Sequence, residues 1–415
     1  MNFQISDGSF LLEFTAFGTV IIAVLTLLLG YKIKKHVKFC QKYCLPAPVI
    51  GGTLFALVNL LFYLTGNINI VLDSTYQNDM QFMFFTIVGF GASFSLLKKG
   101  GKKLICYFLL TGTLIIIEAI VGIAGAQLTK IPLVYGLLCG QIPLAGGHGS
   151  VAAYGEMIEA MGYSGGLVVG MAAATFGLLI GSFFGGPLCT RLIRKYNLSV
   201  PGGKAEQVLE EISSDSTEAP PITAQDIFKS LVLIGTFMVI GGILGEYLGN
   251  GLSVLTGGNI SLPGFCGPML VAFIVRNINE KAHLFTINER ILNAMEDFSL
   301  GIFLTMAMIS LKLWELASLA IPMLVILLIE TIIVLLFIYF IVFRFLGKDY
   351  NAAACCAGLC GHGFGATPNG IANLVSVSER FGYPKLAFII VPIVGGFLQD
   401  IFLVPVSIFL INMVA

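Results

Sequence analysis

Apolar runs of about 20 residues recur from one end of this chain to the other, and a run of that length crosses a bilayer as a helix. They stand near residues 11–31, 46–72, 81–97, 104–129 and 166–190 in the first half. The second half repeats them near 227–248, 263–275, 292–311, 317–343 and 386–411. Lipid offers no partner to a backbone N–H or C=O. Such a chain is therefore confined to helices that bond internally, with irregular backbone only where protein or water surrounds it. Composition agrees: 11% of the residues are charged, against roughly 25% in a soluble domain. A net charge of zero and the lack of a basic domain argue against nucleic-acid binding. The opening MNFQISDGSFLLEF carries Asp7 and Glu13 and no basic stretch, so a cleaved signal peptide is not expected. Most cysteines lie inside apolar runs and read as free, buried thiols; Cys40 and Cys44 alone, in a basic loop, are a weak metal pair.

Two stretches break the apolar pattern. Gly358 to Leu374 reads GLCGHGFGATPNGIANL, and Pro143 to Ser150 reads PLAGGHGS. Both are glycine-dense and polar, inside the regions 351–378 and 131–160, and each is flanked by apolar segments. They read as re-entrant loops whose small residues let backbone pack against neighbouring helices. Each is followed by a helix start: Ser150 precedes VAAYGEMIEAM, and Thr367 is expected to cap a turn beginning at Pro368. Unpaired N–H groups at a helix start favour an anion. Carbonyls exposed before it suit sodium, a hard cation. Glycines that only permit close helix packing are the plainer alternative; the pairing of two such clusters favours a site.

The halves match in order. LPAPVIGG at Leu45 faces LPGFCGP at Leu262; SFSLLKK at Ser93 faces MISLKLW at Met308; IIIEAI at Ile115 faces LLIETI at Leu327; GHG occurs at Gly147 and Gly361; MGY at Met161 faces FGY at Phe381. We read a duplication, with a first repeat over 1–194, a Pro-, Gly-, Ser- and Glu-rich cytoplasmic linker over 195–225, and a second repeat over 226–415. With five crossings plus one re-entrant loop per half and the N-terminus outside, every Lys and Arg except Lys130 and Lys312 falls inside, as the positive-inside rule requires. Five is odd, so the repeats are inverted and both termini lie outside, an architecture shared by many secondary transporters. The fold class is an all-α polytopic membrane protein built from two inverted-topology repeats.

No Lys or Arg lies in the core of an apolar segment, so an anionic substrate would be held by loop N–H groups and by Thr367, Asn369 and Asn373, with Arg380 at the periphery. Ionisable residues at membrane depth are functional candidates by default. Asp400, within GGFLQDIFLVP, would meet a substrate ammonium or sodium; Glu118 and Glu330 hold matching mid-helix places, where symmetric packing and ion binding are equal readings. His148 and His362 read as hydrogen-bonding loop residues. Glu156 and Glu159 read as solvated at the outer interface, and Glu296 and Asp297 as the acidic start of a helix.

These residues resemble the bacterial sodium:glutamate symporters over nearly the whole chain. The likeness is carried by GGHGS (Gly146–Ser150), ATFGLLIGSFFGGP (Ala174–Pro187), SLKLWELASLAIPML (Ser310–Leu324), GFGATPNGIAN (Gly363–Asn373) and ERFGYPKLAFIIVPIVG (Glu379–Gly395). It implies sodium-driven L-glutamate uptake across the inner membrane, sodium as coupling ion with no other cofactor, no enzymatic activity, and a homodimer. Gly146, Gly147, His148 and Gly149 match the family's first pore loop. Gly363, Gly365, Ala366, Thr367, Pro368, Ile371, Ala372 and Asn373 match the second, and Asp400 falls on an acidic position. Glu118 and Glu330 stand where the family carries amides, and His362 matches no family histidine. With Ser150 and Asn369 added from the loops themselves, the expected substrate site is Gly147, His148, Gly149, Ser150, Gly365, Ala366, Thr367, Asn369, Asn373 and Asp400; Asp400, Thr367, Glu118 and Glu330 are the sodium candidates. Another carboxylate such as aspartate or citrate, coupled to sodium or protons, is the nearest alternative. A passive channel stands further off.

Overall fold

The computed structural model describes residues 2–6, 9–42, 45–66, 68–91, 93, 101–199, 222–256, 262–286 and 288–415. Most of the expected linker, Cys44 and the basic pair Lys98 and Lys99 lie outside these residues. The first half carries α1 (Ala16–His36), α2 (Ala47–Thr65), α3 (Thr75–Gly91), α4 (Gly101–Thr129), α5 (Leu133–Leu137), α6 (Gln141–Ala160) and α7 (Gly166–Tyr196). The second carries α8 (Ala224–Thr256), α9 (Cys266–Ala282), α10 (Glu289–Ile309), α11 (Ala320–Phe337), α12 (Tyr350–His362), α13 (Thr367–Phe381), α14 (Lys385–Ile393) and α15 (Asp400–Val414). Short turns Lys38–Lys42, Leu313–Leu316 and Phe343–Phe345 lie between them. The chain is a multi-pass helical membrane protein: among the described residues, eight helices are long and apolar enough to cross a bilayer. α3 and α9, each of 17 residues, fall below the length of those eight.

The N-terminal apolar run is not all helix. Asn2–Ser6 (β1) pairs antiparallel with Ser9–Phe14 (β2), which runs parallel to Ile68–Leu72 (β3). α1 starts only at Ala16, where the Thr15 hydroxyl accepts from the Gly18 N–H at 3.3 Å. Likewise α2 stops at Thr65, and the residues up to 72 form β3. A short apolar run reads alike as strand or helix, so the expected segments 11–31 and 46–72 absorbed both.

Contacts gather into two compact units, and each draws on both halves of the chain. The first comprises 1–91, 152–171 and 225–321. In its core, Met83, Ile87 and Phe90 of α3 meet Ile234 of α8, Ala272 of α9 and Leu292 of α10. A second cluster joins Ala23 of α1 to Ile302, Met306 and Ile309 of α10. Phe17, Leu25 and Leu28 on α1 stay exposed, which suits a face turned to lipid. Glu156 and Glu159 are half-buried rather than solvated: Glu156 accepts from the Gln77 amide, and Glu159 accepts from the Leu167 N–H at 3.0 Å. Glu296 and Asp297 do not open a helix either. Asn288 caps α10 by accepting from the Ile291 N–H, and Glu289 is the acid of its first turn.

The second unit comprises 92–151, 172–224 and 322–415. α4 lies against α5 and α15, and α12 against α13 and α14. Two π-turns interrupt its long helices, Ile338–Val342 after α11 and Val394–Leu398 between α14 and α15. Every residue of both glycine-rich breaks belongs to this unit.

Candidate functional site

Each glycine stretch folds as helix, break, helix. The first part of α6 runs from Gln141 to Gly146, breaks at Gly147 (φ 64°, ψ −164°) and resumes at His148. In the second stretch α12 ends at His362, Gly363–Gly365 turn, and α13 begins at Thr367. The two breaks touch. A Cβ on Gly147 would stand 2.3 Å from the carbonyl oxygen of Gly365, whose own φ is 149°. Both positions need glycine, by backbone conformation and by closeness.

α7 is the third wall. A Cβ on its Gly177 would stand 2.2 Å from the Phe364 carbonyl oxygen. Asn369 donates its amide to the Leu178 carbonyl at 2.9 Å, and Asn373 donates to the Gly181 and Ala357 carbonyls, each at 3.0 Å. These two amides tie α13 to α7 and α12. Asn369 is fully buried, and its Oδ1 has no hydrogen-bond partner among the described residues.

The break places two helix starts in one region of the unit. The first N–H groups of a helix have no partner within it, and after the break the helix resumes at His148, Gly149 and Ser150. At α13, Asn369 and Gly370 turn their N–H groups to the Ala366 carbonyl at 3.1 and 3.4 Å. Ala366, in extended conformation (φ −163°), is therefore the cap; the expectation that Thr367 caps the turn is corrected, because the first helical bonds close on the carbonyl before it. Thr367 instead opens α13 as a half-buried residue with Pro368 beside it.

His148 is buried, with Nε2 3.0 Å from the Thr175 hydroxyl of α7, and Ser150 is buried one turn from Gly146. Asp400 is partly exposed at the start of α15. Its neighbour Gln399 makes the connection to the first loop: its amide donates to the Ala145 carbonyl at 2.9 Å. That orientation makes its Oε1 the acceptor from His362 Nδ1 at 3.1 Å, which leaves His362 Nε2 to accept from the Tyr107 hydroxyl at 2.7 Å. This buried chain from α4 through α12 to the first loop was not expected from sequence. Its only sequence signal is the glutamine inside FLQDIF, next to the carboxylate of Asp400. Glu118 and Glu330 are fully buried, away from solvent and without hydrogen-bond partners among the described residues.

Cations gather at the unit's edge. Arg191, Arg194 and Lys195 near the end of α7 and Arg380 near the end of α13 line one cavity of about 820 Å³, along with Thr190 and Ser376.

The family model for the sodium/glutamate symporter matches residues 12–383. A sodium/glutamate symporter of Escherichia coli (strain K12) is 36% identical over 385 residues, covering 92% of this chain and 94% of that one. One from Haemophilus influenzae is 35% identical over 408 residues, covering 97% and 99%. A sodium proton antiporter structure from Methanocaldococcus jannaschii aligns over 95% of this chain and 97% of that one, at a TM-score of 0.39 and 15% identity, too loosely to inform the fold.

Proposed function

Because the chain belongs to the sodium/glutamate symporter family, we propose that it carries L-glutamate inward across a bacterial inner membrane, driven by a sodium gradient and by alternating access. The observation that carries the reading is the meeting of two helix breaks, Gly147 against Gly365. Broken helices of this kind expose N–H groups and carbonyls inside the membrane, where transporters bind anionic groups and sodium. The substrate's carboxylates sit at the N–H groups of His148, Gly149 and Ser150 and at the start of α13, beside the Thr367 hydroxyl, while the unpartnered Oδ1 of Asn369, an acceptor, suits the ammonium or a sodium ion. Asp400 takes the ammonium or a sodium ion, and Thr367 adds a hydroxyl oxygen for sodium. The two halves are inverted repeats with both termini outside, and the protein works as a homodimer.

Purified protein in liposomes tests this. An inward sodium gradient accumulates labelled glutamate above its outside concentration, and Thr367→Ala or Asp400→Asn reduces the initial rate about tenfold or more, the loss of roughly 1.4 kcal/mol. Uptake that is passive, or driven equally well by potassium, removes the proposal. Competition by excess aspartate or citrate ranks the neighbouring carboxylates, and native mass spectrometry reads the dimer.

A further inference from the structure

One buried polar group in the second unit is unused by the reading above. Glu118 of α4 and Glu330 of α11 have no exposed surface, and none of their four carboxylate oxygens meets a hydrogen-bond donor among the described residues. Gln141, which opens α6, is equally buried, and both polar atoms of its side chain lack partners there too. The two carboxyl groups stand within electrostatic reach of each other, and Cys139 stands within reach of Glu330.

Gly140 locates the group. It sits in the turn 138–140 between α5 and α6. The three atoms nearest to where its Cβ would stand are all oxygens: the Glu118 carbonyl at 2.6 Å, Glu330 Oε1 at 3.1 Å and the Gly136 carbonyl at 3.2 Å. These distances leave no room for a side chain, so glycine is what lets three oxygens close in on this turn. Two carboxylates sealed from water repel each other, and each is costly to bury charged. A cation held between them relieves both costs. The donor set is oxygen only, which suits a hard ion. Among the described residues no group of three or more His, Cys, Asp or Glu is arranged to hold a metal, which leaves a transition metal without support.

We propose that Glu118, Glu330 and the turn from Gly136 to Gln141 form a sodium site at the root of the first glycine loop, a proposal that rests on the sodium-driven reading above. The ion joins α4, α11 and the first residue of α6. From there the helix runs six residues to the break at Gly147, about 9 Å at 1.5 Å per residue. Sodium at this turn steadies the helix segment that carries the break, and so links ion occupancy to the loop that faces the second break.

The test is the sodium dependence of thermal unfolding of the purified full chain, titrated against potassium at constant ionic strength. A ligand that binds the folded state alone raises stability as its concentration passes its dissociation constant. In the wild type sodium raises the midpoint and potassium does not. In the Glu118→Gln, Glu330→Gln double variant the half-saturating sodium concentration rises at least tenfold. Glutamine keeps the shape and mimics a protonated carboxyl, so a sodium titration unchanged in the double variant overturns the site and leaves protons as the pair's compensation. If the double variant does not accumulate, Glu330→Gln alone is read in the same way, and an unmoved titration is equally fatal. Liposome uptake separates the two levels of the argument. Wild-type uptake that sodium drives, with unchanged titration in the variant, overturns this site only; absence of sodium-driven uptake in the wild type overturns the wider reading.

Discussion

Gly147 and Gly365 set the geometry at which the two helix breaks meet. Gly147 holds φ at 64° and ψ at −164°, a region essentially confined to glycine that costs another residue roughly 1–3 kcal/mol. Its hydrogen in place of Cβ also lets the Gly365 carbonyl approach. Gly147→Ala therefore pushes the two breaks apart as well as straining the turn, and uptake falls to background with the protein still present in the membrane. Gly242 in α8 is the control, since nothing lies within 4 Å of where its Cβ would stand. Gly242→Ala leaves uptake near normal and stabilises α8 by up to about 1 kcal/mol, by helix propensity. Uptake assays on membranes with matched protein levels separate the two. Near-normal transport by Gly147→Ala would detach the site from the break.

At the scale of elements, hydrogen bonds between helices hold the breaks in place. Gln399 follows the π-turn Val394–Leu398, where its N–H bonds the Val394 carbonyl at 2.9 Å. The inserted residue turns its side chain toward Ala145 and His362. Gln399→Leu leaves a buried carbonyl and a buried ring N–H without partners, each costing about 1–3 kcal/mol. Thermal unfolding therefore shifts down by several degrees, and uptake falls with it. Asn373→Ala cuts α13 from Gly181 and Ala357 and has a comparable cost in stability. Uptake that falls at unchanged melting temperature would instead make Asn373 a direct ligand. The sequence shows why these roles divide as they do. Glycine density, proline after Thr367 and the apolar flanks are local properties, so two broken helices were legible. The partners of Asn373 and Gln399 lie on α7, α12 and the first loop, up to 254 residues away, and no spacing within one strand of text encodes them. The cap at Ala366 is not legible for a related reason: an alanine caps by its backbone conformation, and its side chain gives no sign of it.

At the scale of the whole molecule, each compact unit takes segments from both halves of the chain. The second unit needs α4, α5, the start of α6 and most of α7 from the first half and α11 to α15 from the second; the first unit needs α1 to α3, the rest of α6, the start of α7 and α8 to α10. Neither half thus contains a complete core. The cluster of Met83, Ile87 and Phe90 has its partners Ile234, Ala272 and Leu292 beyond the linker, and Asn373 has its Gly181 carbonyl before it. A half expressed alone leaves those apolar faces and buried amides unmatched, so it is degraded or aggregates. The stretch 195–225, rich in Pro, Gly, Ser and Glu, is where the chain can be divided, because its composition asks for no packed core. Division between Ser214 and Asp215 gives two chains that do not transport singly and regain sodium-driven uptake when produced together. Each half accumulating stably and separately, with no recovery of uptake on co-expression, would mean that the halves fold as independent bodies, and the interleaved units would have to be abandoned.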